Sequence, residues 1–524
     1  MNECPASCRW LNRGIFLCAA LPVLAGPWFF GAWEMWWFWP FAASIFAAAA
    51  LLGVRMFRTE ATPQRRQTPP SPQASPLEGE GQDERNPSPI QGNSQHGQTP
   101  SPLGGEGRGE GNCPATRCRA AWVIAAFVPF LVYAFIRLFQ AEVFMSAERS
   151  FLLFLTPFLL GLAVACGMNA PQRRLLFLLL LANLLLLGLY GILNQRLADS
   201  ARVLWQPAFP QYRTEHRATG SYFCPNHFAG ILEIAFALAL GILLSQERQR
   251  REKMFAALLG FVAVWGVFLS KSRGGGMTLV VVAALAVGIG FARQSARVRY
   301  LGRTAAGLSL CAILAALWFT KTDYMIRFKA DFGWNRIGGQ SLSQVVETTR
   351  RNLVRSSRGL MIAGALRAWR TRPWVGVGPG MHQHLWPHFA ASPDGDRARG
   401  VWPSMPNYDF HSYEVHSDWV QLLEEYGLIG LALFLLGVTP GVVLLLRHAR
   451  GTASPSANGG GHLHLALGAL LAAAAMAFHS LGDFNLQMPA TVWLLAAVAA
   501  LALAPLLRPP GTGREAENVS CACA

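Results

Sequence analysis

The chain has 524 residues, 52% of them hydrophobic and only 14% charged, and its mean hydropathy is +0.28. A water-soluble chain of this length carries far more charged surface, so the composition excludes that class and points to a polytopic membrane protein. The formal net charge of +16 reads as arginines in cytoplasmic loops beside anionic headgroups, not as a nucleic-acid footprint.

Apolar blocks of roughly 17–25 residues recur, each long enough to cross ~30 Å of hydrocarbon. Residues 1–56 hold two, near 14–32 and 35–54. Arg9 and Arg13 precede the first, which reads as a retained helix because no small-residue cleavage site follows it. Residues 57–119 differ in kind: Pro, Gly, Ser and Gln dominate, and "SPLEGEG" at 75–81 returns as "SPLGGEG" at 101–107. Too little apolar surface is present to offset chain entropy, so a disordered cytoplasmic linker is expected. Residues 120–320 hold seven further spans, near 120–137, 150–168, 175–193, 227–245, 254–270, 275–292 and 304–320. A long loop, 321–418, follows; spans near 419–446, 462–482 and 490–507 and a cytoplasmic tail, 508–524, complete the chain. The expected fold is all-α, with about twelve transmembrane helices.

Short basic loops set the orientation. "SQERQRREK" (245–253), "FARQSARVRYLGR" (291–303), Arg173–Arg174 and "LRHAR" (446–450) alternate with connections poorer in basic residues, which places both termini in the cytoplasm. The loop between the ninth and tenth spans then faces outward. Over 321–417 it carries thirteen Lys/Arg against seven Asp/Glu, unusual for that side, and an anionic ligand would account for it. The ten cysteines show no disulfide framework, since only Cys224 is expected outside.

Three constellations meet at the outer face in this topology. In "EHRATGSYFCPNHFAG" (215–230), Pro225 and Asn226 read as a helix entry with Asn226 as N-cap. Arg217 reads either as a snorkelling headgroup arginine or as a guanidinium fork for phosphate. In "FLSKSRGGGMTL" (268–279), a short turn holds Lys271, Ser272 and Arg273 among glycines, ahead of a helix N-terminus that favours an anion. The plainer reading is a tight turn with interfacial charge. In "EVHSDWVQLLEEYGLIG" (414–430), Asp418 and Gln421 read as a capping box for the tenth span. His416 stands just outside that cap, and an imidazole, with an ordinary pKa of about 6.5, suits removal of a hydroxyl proton.

Within the long loop, "SSRGLMIAGALRAWRTRPWVGVGPGM" (356–381) predicts one amphipathic helix with Leu360, Ala363, Gly364 and Leu366 as its apolar stripe, stopping before Pro373. Arg358 at its start is a further phosphate-binding candidate, while Arg367, Arg370 and Arg372 read as a solvated face. His382, His384 and His388 have H-x-H-x3-H spacing, but no strand presents them and Pro387 is expected to interrupt any helix. Asp394 and Asp396 read as a solvated turn, neutralised by Arg397 and Arg399. No bound metal and no cofactor are expected.

Taken in order, an arginine upstream of "PNHFAG", then "SRGG", "TRPWVGVGPG" and "HSDWVQLLEEYGLIG" resemble the motifs of the O-antigen ligase and polymerase (Wzy_C-like) family of bacterial envelope proteins. "HSLGDFNLQMPA" (479–490) resembles the same family's penultimate-helix segment, and the likeness runs from about residue 200 to 490. The family commonly has His-Asn where this chain has His416–Ser417. The resemblance implies a twelve-helix, GT-C-like glycosyltransferase of the bacterial inner membrane with a large periplasmic loop between helices nine and ten. It implies a donor glycan on undecaprenyl pyrophosphate, and an acceptor hydroxyl on lipid A–core, a growing glycan or a protein. The family's essential arginines fall on Arg217 and Arg273, and its loop histidine on His416. On that reading the enzyme is metal-independent and inverting: arginines neutralise the leaving diphosphate, assisted by Lys271 or Arg358, while His416 takes the acceptor proton. Ser272, Asn226 and Asp418 join the binding set. Ligation to lipid A–core is the leading activity, with polymerisation and protein O-glycosylation as alternatives. A polysaccharide flippase or exporter is disfavoured because the ionisable candidates cluster at one face of spans that read as almost free of charge.

Overall fold

A chain segment inside hydrocarbon has no water to satisfy its N–H and C=O groups, so apolar runs close their own hydrogen-bond ladders as helices. The computed structural model describes residues 6–60, 123, 125–198, 201–207, 216–245, 248–292, 323–334, 339–390, 411–449 and 463–507. Its helices are α1 (Ala6–Ala25), α2 (Met35–Glu60), α3 (Val128–Phe139), α4 (Phe144–Leu162), α5 (Ala170–Ala198), α6 (Pro225–Leu244), α7 (Arg250–Ser270) and α8 (Arg273–Ala292). Four shorter ones occupy the long loop: α9 (Asp323–Phe332), α10 (Leu342–Arg355), α11 (Ser357–Thr371) and α12 (His382–Phe389). α13 (Asp418–Ala449), α14 (Leu463–His479) and α15 (Pro489–Leu503) follow. The one strand pairing among the described residues is a two-residue antiparallel bridge, Arg202–Val203 with Gln206–Pro207.

Eight of these helices are long and apolar enough to cross a membrane, and α3, α14 and α15 are shorter apolar helices. They answer to eleven of the expected spans. The expected span at 304–320, the repeats at 75–107 and the Asp394/Asp396 turn lie outside the described residues. Side chains such as Leu178, Leu186, Phe261 and Leu436 stay exposed on the helix flanks, as lipid-facing residues do.

The core is centred on α6, whose inner faces meet α7, α8 and α14. Phe228, Leu232, Ala235, Ala469, Ala472, Trp493 and Phe38 are all buried there. A second cluster, Phe130, Ala134, Phe151, Leu422 and Tyr426, joins α3 and α4 to the start of α13.

Chain connectivity brings one set of helix ends together. α6, α8, α13 and α15 start, and α7 and α14 finish, at the end where Ser221 donates to Pro27 O at 2.6 Å and Trp33 packs on Phe484. The opposite end is basic: Arg55 donates to the carbonyls of Cys166 and Gly167, and Arg248 meets His464.

Where one continuous span was expected, α13 breaks at Gly427, which has φ 68° and ψ −171°. The long-loop segment "RPWVGVGPG" closes onto this break, backbone against backbone. Val377 N donates to Glu424 O at 2.8 Å and Gly378 N to Glu425 O at 3.0 Å, while Leu428 N and Ile429 N donate to Pro373 O and Trp374 O. A Cβ on Gly427 would lie 2.3 Å from Trp374 O, and one on Gly376 would lie 2.4 Å from Glu425 C. Only glycine permits that approach with a left-handed φ.

Two loop expectations need correction. α11 runs from Ser357 to Thr371, but it buries Leu360, Met361, Gly364, Ala365 and Ala368 instead of a stripe through Ala363 and Leu366. Gly364 faces the Trp386 ring, so α12 selects the buried face. Pro387 does not interrupt its helix: it is the sixth of the eight residues of α12, and so near the end its missing N–H costs the helix one bond without stopping it before Phe389.

Candidate active site

The loop after α14 supplies the centre of the site. Asp483 is fully buried, and two groups from the long loop share its carboxylate. His416 Nδ1 lies 3.2 Å from Oδ1, and Arg358 Nη2 donates to Oδ2 at 2.9 Å. Phe484 N donates to Oδ1 from within the loop. Burial works to raise the Asp483 carboxyl, but the Arg358 charge, the His416 hydrogen bond and the His416 and His479 charges outweigh it and hold it well below the usual carboxylate range. The ionised carboxylate accepts Nδ1–H, which leaves the His416 Nε2 lone pair pointing away from its holder. His416 side-chain exposure is 26%, and its backbone takes a left-handed φ of 58°.

Phe484 sets the ring edge-on. Its centroid lies 4.5 Å from His416 at 89°, and 4.6 Å from His227 at 81°. His227 belongs to the first turn of α6, so this aromatic ring links the start of α6 to the start of α13.

Asp418 holds the two halves in register. Its N–H donates to the carbonyls of Ser480 and Asp483, and its Oδ2 accepts from Ser480 Oγ at 2.6 Å and Leu486 N at 3.0 Å. The capping box expected of Asp418 and Gln421 is therefore not formed. Gln421 Oε1 accepts from Val415 N at 3.1 Å and its amide donates to Glu414 and Glu425. Ser417, the preceding residue, lies nearest the role of cap, with Oγ 3.5 Å from Val420 N. The carboxylate reaches a neighbouring loop instead of its own helix end.

The basic turn is as tight as expected. α7 ends at Ser270, Lys271 takes a left-handed φ of 53°, and Ser272 Oγ accepts from Gly275 N at 3.2 Å as α8 begins at Arg273. Arg217 braces this turn: Nε donates to Ser270 O at 2.7 Å and Nη2 to Asn226 Oδ1 at 3.0 Å, with Ala218 N on Leu269 O. The α6 N-cap is Cys224 with Pro225 in the first turn, so Asn226 is not the cap; it lies inside the helix and its side chain turns to Arg217. Behind the turn, His479 closes the site. Its Nδ1 lies 2.7 Å from Glu233 Oε1, its Nε2 lies 3.9 Å from Asp483 Oδ2, and Gly274 is pressed against its ring.

The structure thus brings His416, Arg358 and Asp418 into one hydrogen-bonded group around Asp483, and ties Arg217 and Asn226 to the Lys271–Ser272–Arg273 turn. The two groups join through His479 and Phe484. Among the histidines with metal-like spacing, His382 pairs with Glu424 at 2.8 Å and Ser412 at 2.9 Å, while His384 lies 2.9 Å from Ser146. They engage different partners, and no group of three or more metal-type ligands is present among the described residues.

Residues 255–435 match the family model for O-antigen ligase, Wzy_C. About a third of the chain is therefore similar to O-antigen ligases. The Wzy_C match takes in the basic turn, Arg358 and His416, and ends before Asp483; Arg217 precedes it. The family is one of membrane-embedded glycosyl-transferring enzymes. No curated protein matches the chain.

Sequence reasoning missed Asp483, His479, Glu233 and Phe484. Glu233 and His479 stand inside apolar helices and are fully buried or nearly so, which corrects the reading of the spans as almost free of charge. An ionisable residue within an apolar helix was the available signal, because such groups are costly to bury and persist for a purpose. Asp483 offered a weaker one, a lone carboxylate in "HSLGDFNLQMPA" four residues after His479.

Proposed function

We propose that this protein transfers a glycan from undecaprenyl pyrophosphate to an acceptor hydroxyl at the periplasmic face of the bacterial inner membrane, as an O-antigen ligase-like enzyme. The observation that carries the reading is the shared carboxylate: Asp483 Oδ1 faces His416 Nδ1 and Asp483 Oδ2 takes Arg358 Nη2. One buried anion thereby fixes a base and a cation at set positions relative to each other, as inverting transfer requires. His416 Nε2 takes the acceptor proton as the acceptor oxygen attacks the anomeric carbon, and the carbon–diphosphate bond breaks on the opposite face. The oxyanion that leaves meets Arg358 and the Lys271–Arg273 turn, which Arg217 holds in place. Placing the basic opposite end in the cytoplasm follows from the positive-inside rule and supports an outward-facing site.

His416 plays the part that a histidine plays in a hydrolase triad, with Asp483 keeping its tautomer and aim. General-base help of this kind is worth about 10²–10⁴-fold in rate. No step needs a metal, since the guanidinium and ammonium groups supply the positive charge.

Purified protein incubated with a lipid-linked donor and an acceptor, in EDTA, tests the reading through release of undecaprenyl pyrophosphate. Turnover by wild type and its loss in His416→Ala is the expected result; equal turnover by both overturns the proposal. The acceptor is separated by the polysaccharide phenotype of a deletion strain. Long unattached chains mark ligation to lipid A–core, single repeats on core mark polymerisation, and unglycosylated envelope proteins mark transfer to protein.

A further inference from the structure

Glu233 and His479 form a pair that the transfer chemistry does not use. Both are nearly solvent-free, and Nδ1 and Oε1 stand 2.7 Å apart. Glu233 is the ninth residue of α6, and His479 is the last residue of α14, so the bond joins the two most intimately packed helices of the bundle close to the site. A buried ion pair between these helices contributes little net stability over an apolar contact of the same shape, so helix packing alone does not explain it.

What the pair does have is position. His479 Nε2 has no hydrogen-bond partner among the described residues, and it points toward Asp483 Oδ2 at 3.9 Å, beneath the carboxylate that Arg358 and His416 engage from the loop side. The same ring is the floor on which the basic turn rests: a Cβ on Gly274 would lie 2.7 Å from Nε2 and 2.8 Å from Cδ2. One imidazole therefore touches both halves of the site. It is itself oriented by Glu233, and Glu233 Oε1 would stand 3.2 Å from a Cβ on the next glycine, Gly275.

We infer that Glu233 and His479 are positioning residues, a buried strut that fixes Asp483, and through it His416, at a set distance from the Lys271–Arg273 turn. The inference rests on the proposed transfer reading, in which base and cations act on opposite sides of one bond and so tolerate little change in separation. A misplacement near 1 Å in such an arrangement costs about 10²-fold in rate.

The test uses the intact chain in detergent or nanodiscs with saturating lipid-linked donor. His479→Ala is expected to lower kcat by about 10²-fold while the donor KM changes by less than about twofold, because the groups that bind the diphosphate remain. Glu233→Gln keeps an oxygen for Nδ1–H and is expected to retain far more kcat than Glu233→Ala. Gly274→Ala, which pushes the imidazole without removing it, is expected to mimic His479→Ala. In a double-mutant cycle, His479→Ala is expected to add little further loss on an Asp483→Asn background, since both act through the same carboxylate. Thermal unfolding of each variant normalises activity to folded protein. Wild-type kcat per folded molecule in His479→Ala, or equal losses in Glu233→Gln and Glu233→Ala, overturns the strut. His416→Ala run beside them separates the two levels: an active His416→Ala defeats the transfer reading, whereas an inactive His416→Ala with a fully active His479→Ala defeats the strut alone.

Discussion

His416 and Phe484 meet edge to face, ring centroids 4.5 Å apart at 89°, and the residue before that phenylalanine holds the histidine by its Nδ1. A single turn of loop thus supplies both the hydrogen-bond acceptor and the wall for one imidazole. His416 comes to this contact on a left-handed backbone, in a stretch stapled on both sides. The ring has few orientations left to it. Rigidity of this kind is what a proton acceptor needs when its task is defined by the direction of one lone pair.

Asp483→Asn removes the charge that keeps the His416 tautomer while leaving side-chain shape intact. Turnover of a lipid-linked donor is expected to fall by about 10²–10⁴-fold, as for other oriented histidine bases. Because the ionised carboxyl is held well below the ordinary range, it stays charged throughout the neutral and mildly acidic region. Its contribution to stability is present above the ordinary carboxylate value and fades only as pH falls through the depressed one. A steady-state rate for Asp483→Asn near wild type would sink the orienting role.

Phe484→Ala opens space beside both His416 and His227. Aromatic pairs of this geometry contribute about 0.5–1.5 kcal/mol, so a drop in kcat of about tenfold is expected, milder than the loss of Asp483. Kinetics of Phe484→Leu, which refills part of the volume, should lie between the two. A larger effect for Phe484→Ala than for Asp483→Asn would make the aromatic wall, not the carboxylate, the dominant contact of His416.

Arg273→Lys preserves charge and discards the planar fork. If Arg273 meets the leaving diphosphate, this variant loses most of its activity, and Arg273→Ala loses about 10³-fold, by analogy with other arginine clamps on phosphate. The comparison is made on initial rates at saturating donor. Unchanged rates in Arg273→Lys would assign the turn's charge to Lys271 instead.

Gly427→Ala should cripple folding. The residue has a left-handed φ and its missing Cβ would overlap Trp374 O at 2.3 Å. A cost of about 3 kcal/mol or more is expected, from strain and clash together, seen as lost yield and a lower unfolding temperature in detergent. Gly53, where a Cβ meets nothing within 4 Å, is the control: Gly53→Ala should gain about 0.5–1 kcal/mol from helix propensity. Matching behaviour of the two variants would show that the 373–378 segment does not close on α13 as described.

The long loop carries a second buried pair with its own pH signature. Burial pushes the His382 imidazole down, but the hydrogen bond and charge of Glu424, with Glu425 and Glu414 behind, outweigh it and leave it raised. A raised pKa means that the folded chain holds the proton more tightly than the unfolded one. The contribution to stability is therefore fully present below the ordinary histidine value and is lost as pH rises through the raised one. Glu414, pushed up chiefly by its burial, loses stability in the same direction, starting lower. His382→Gln should be less stable than wild type by about 3 kcal/mol at a pH below the ordinary histidine value, and the gap should narrow as pH rises through the raised one. Melting curves across that range that keep a constant gap would refute the pairing.

Apolar run length by itself determined that the chain is a helical membrane protein, because backbone hydrogen bonding in hydrocarbon leaves few alternatives. Residue type and order also marked His416, Arg217, Arg358 and the Lys271–Arg273 turn, since charged and titratable groups at span ends are conspicuous against so apolar a background. What the tertiary structure decided is who holds whom. Asp483 lies 67 residues from His416 and 125 from Arg358, and nothing in its own neighbourhood announces that it joins them. Asp418 looked like a cap because capping is a local rule, yet its carboxylate serves a loop more than sixty residues away. The glycines at 376 and 427 read as motif letters until two backbones are seen in contact. Sequence patterns encode periodicity and local propensity; pairings between distant segments are selected by packing, where a buried charge must find its partners wherever the fold brings them.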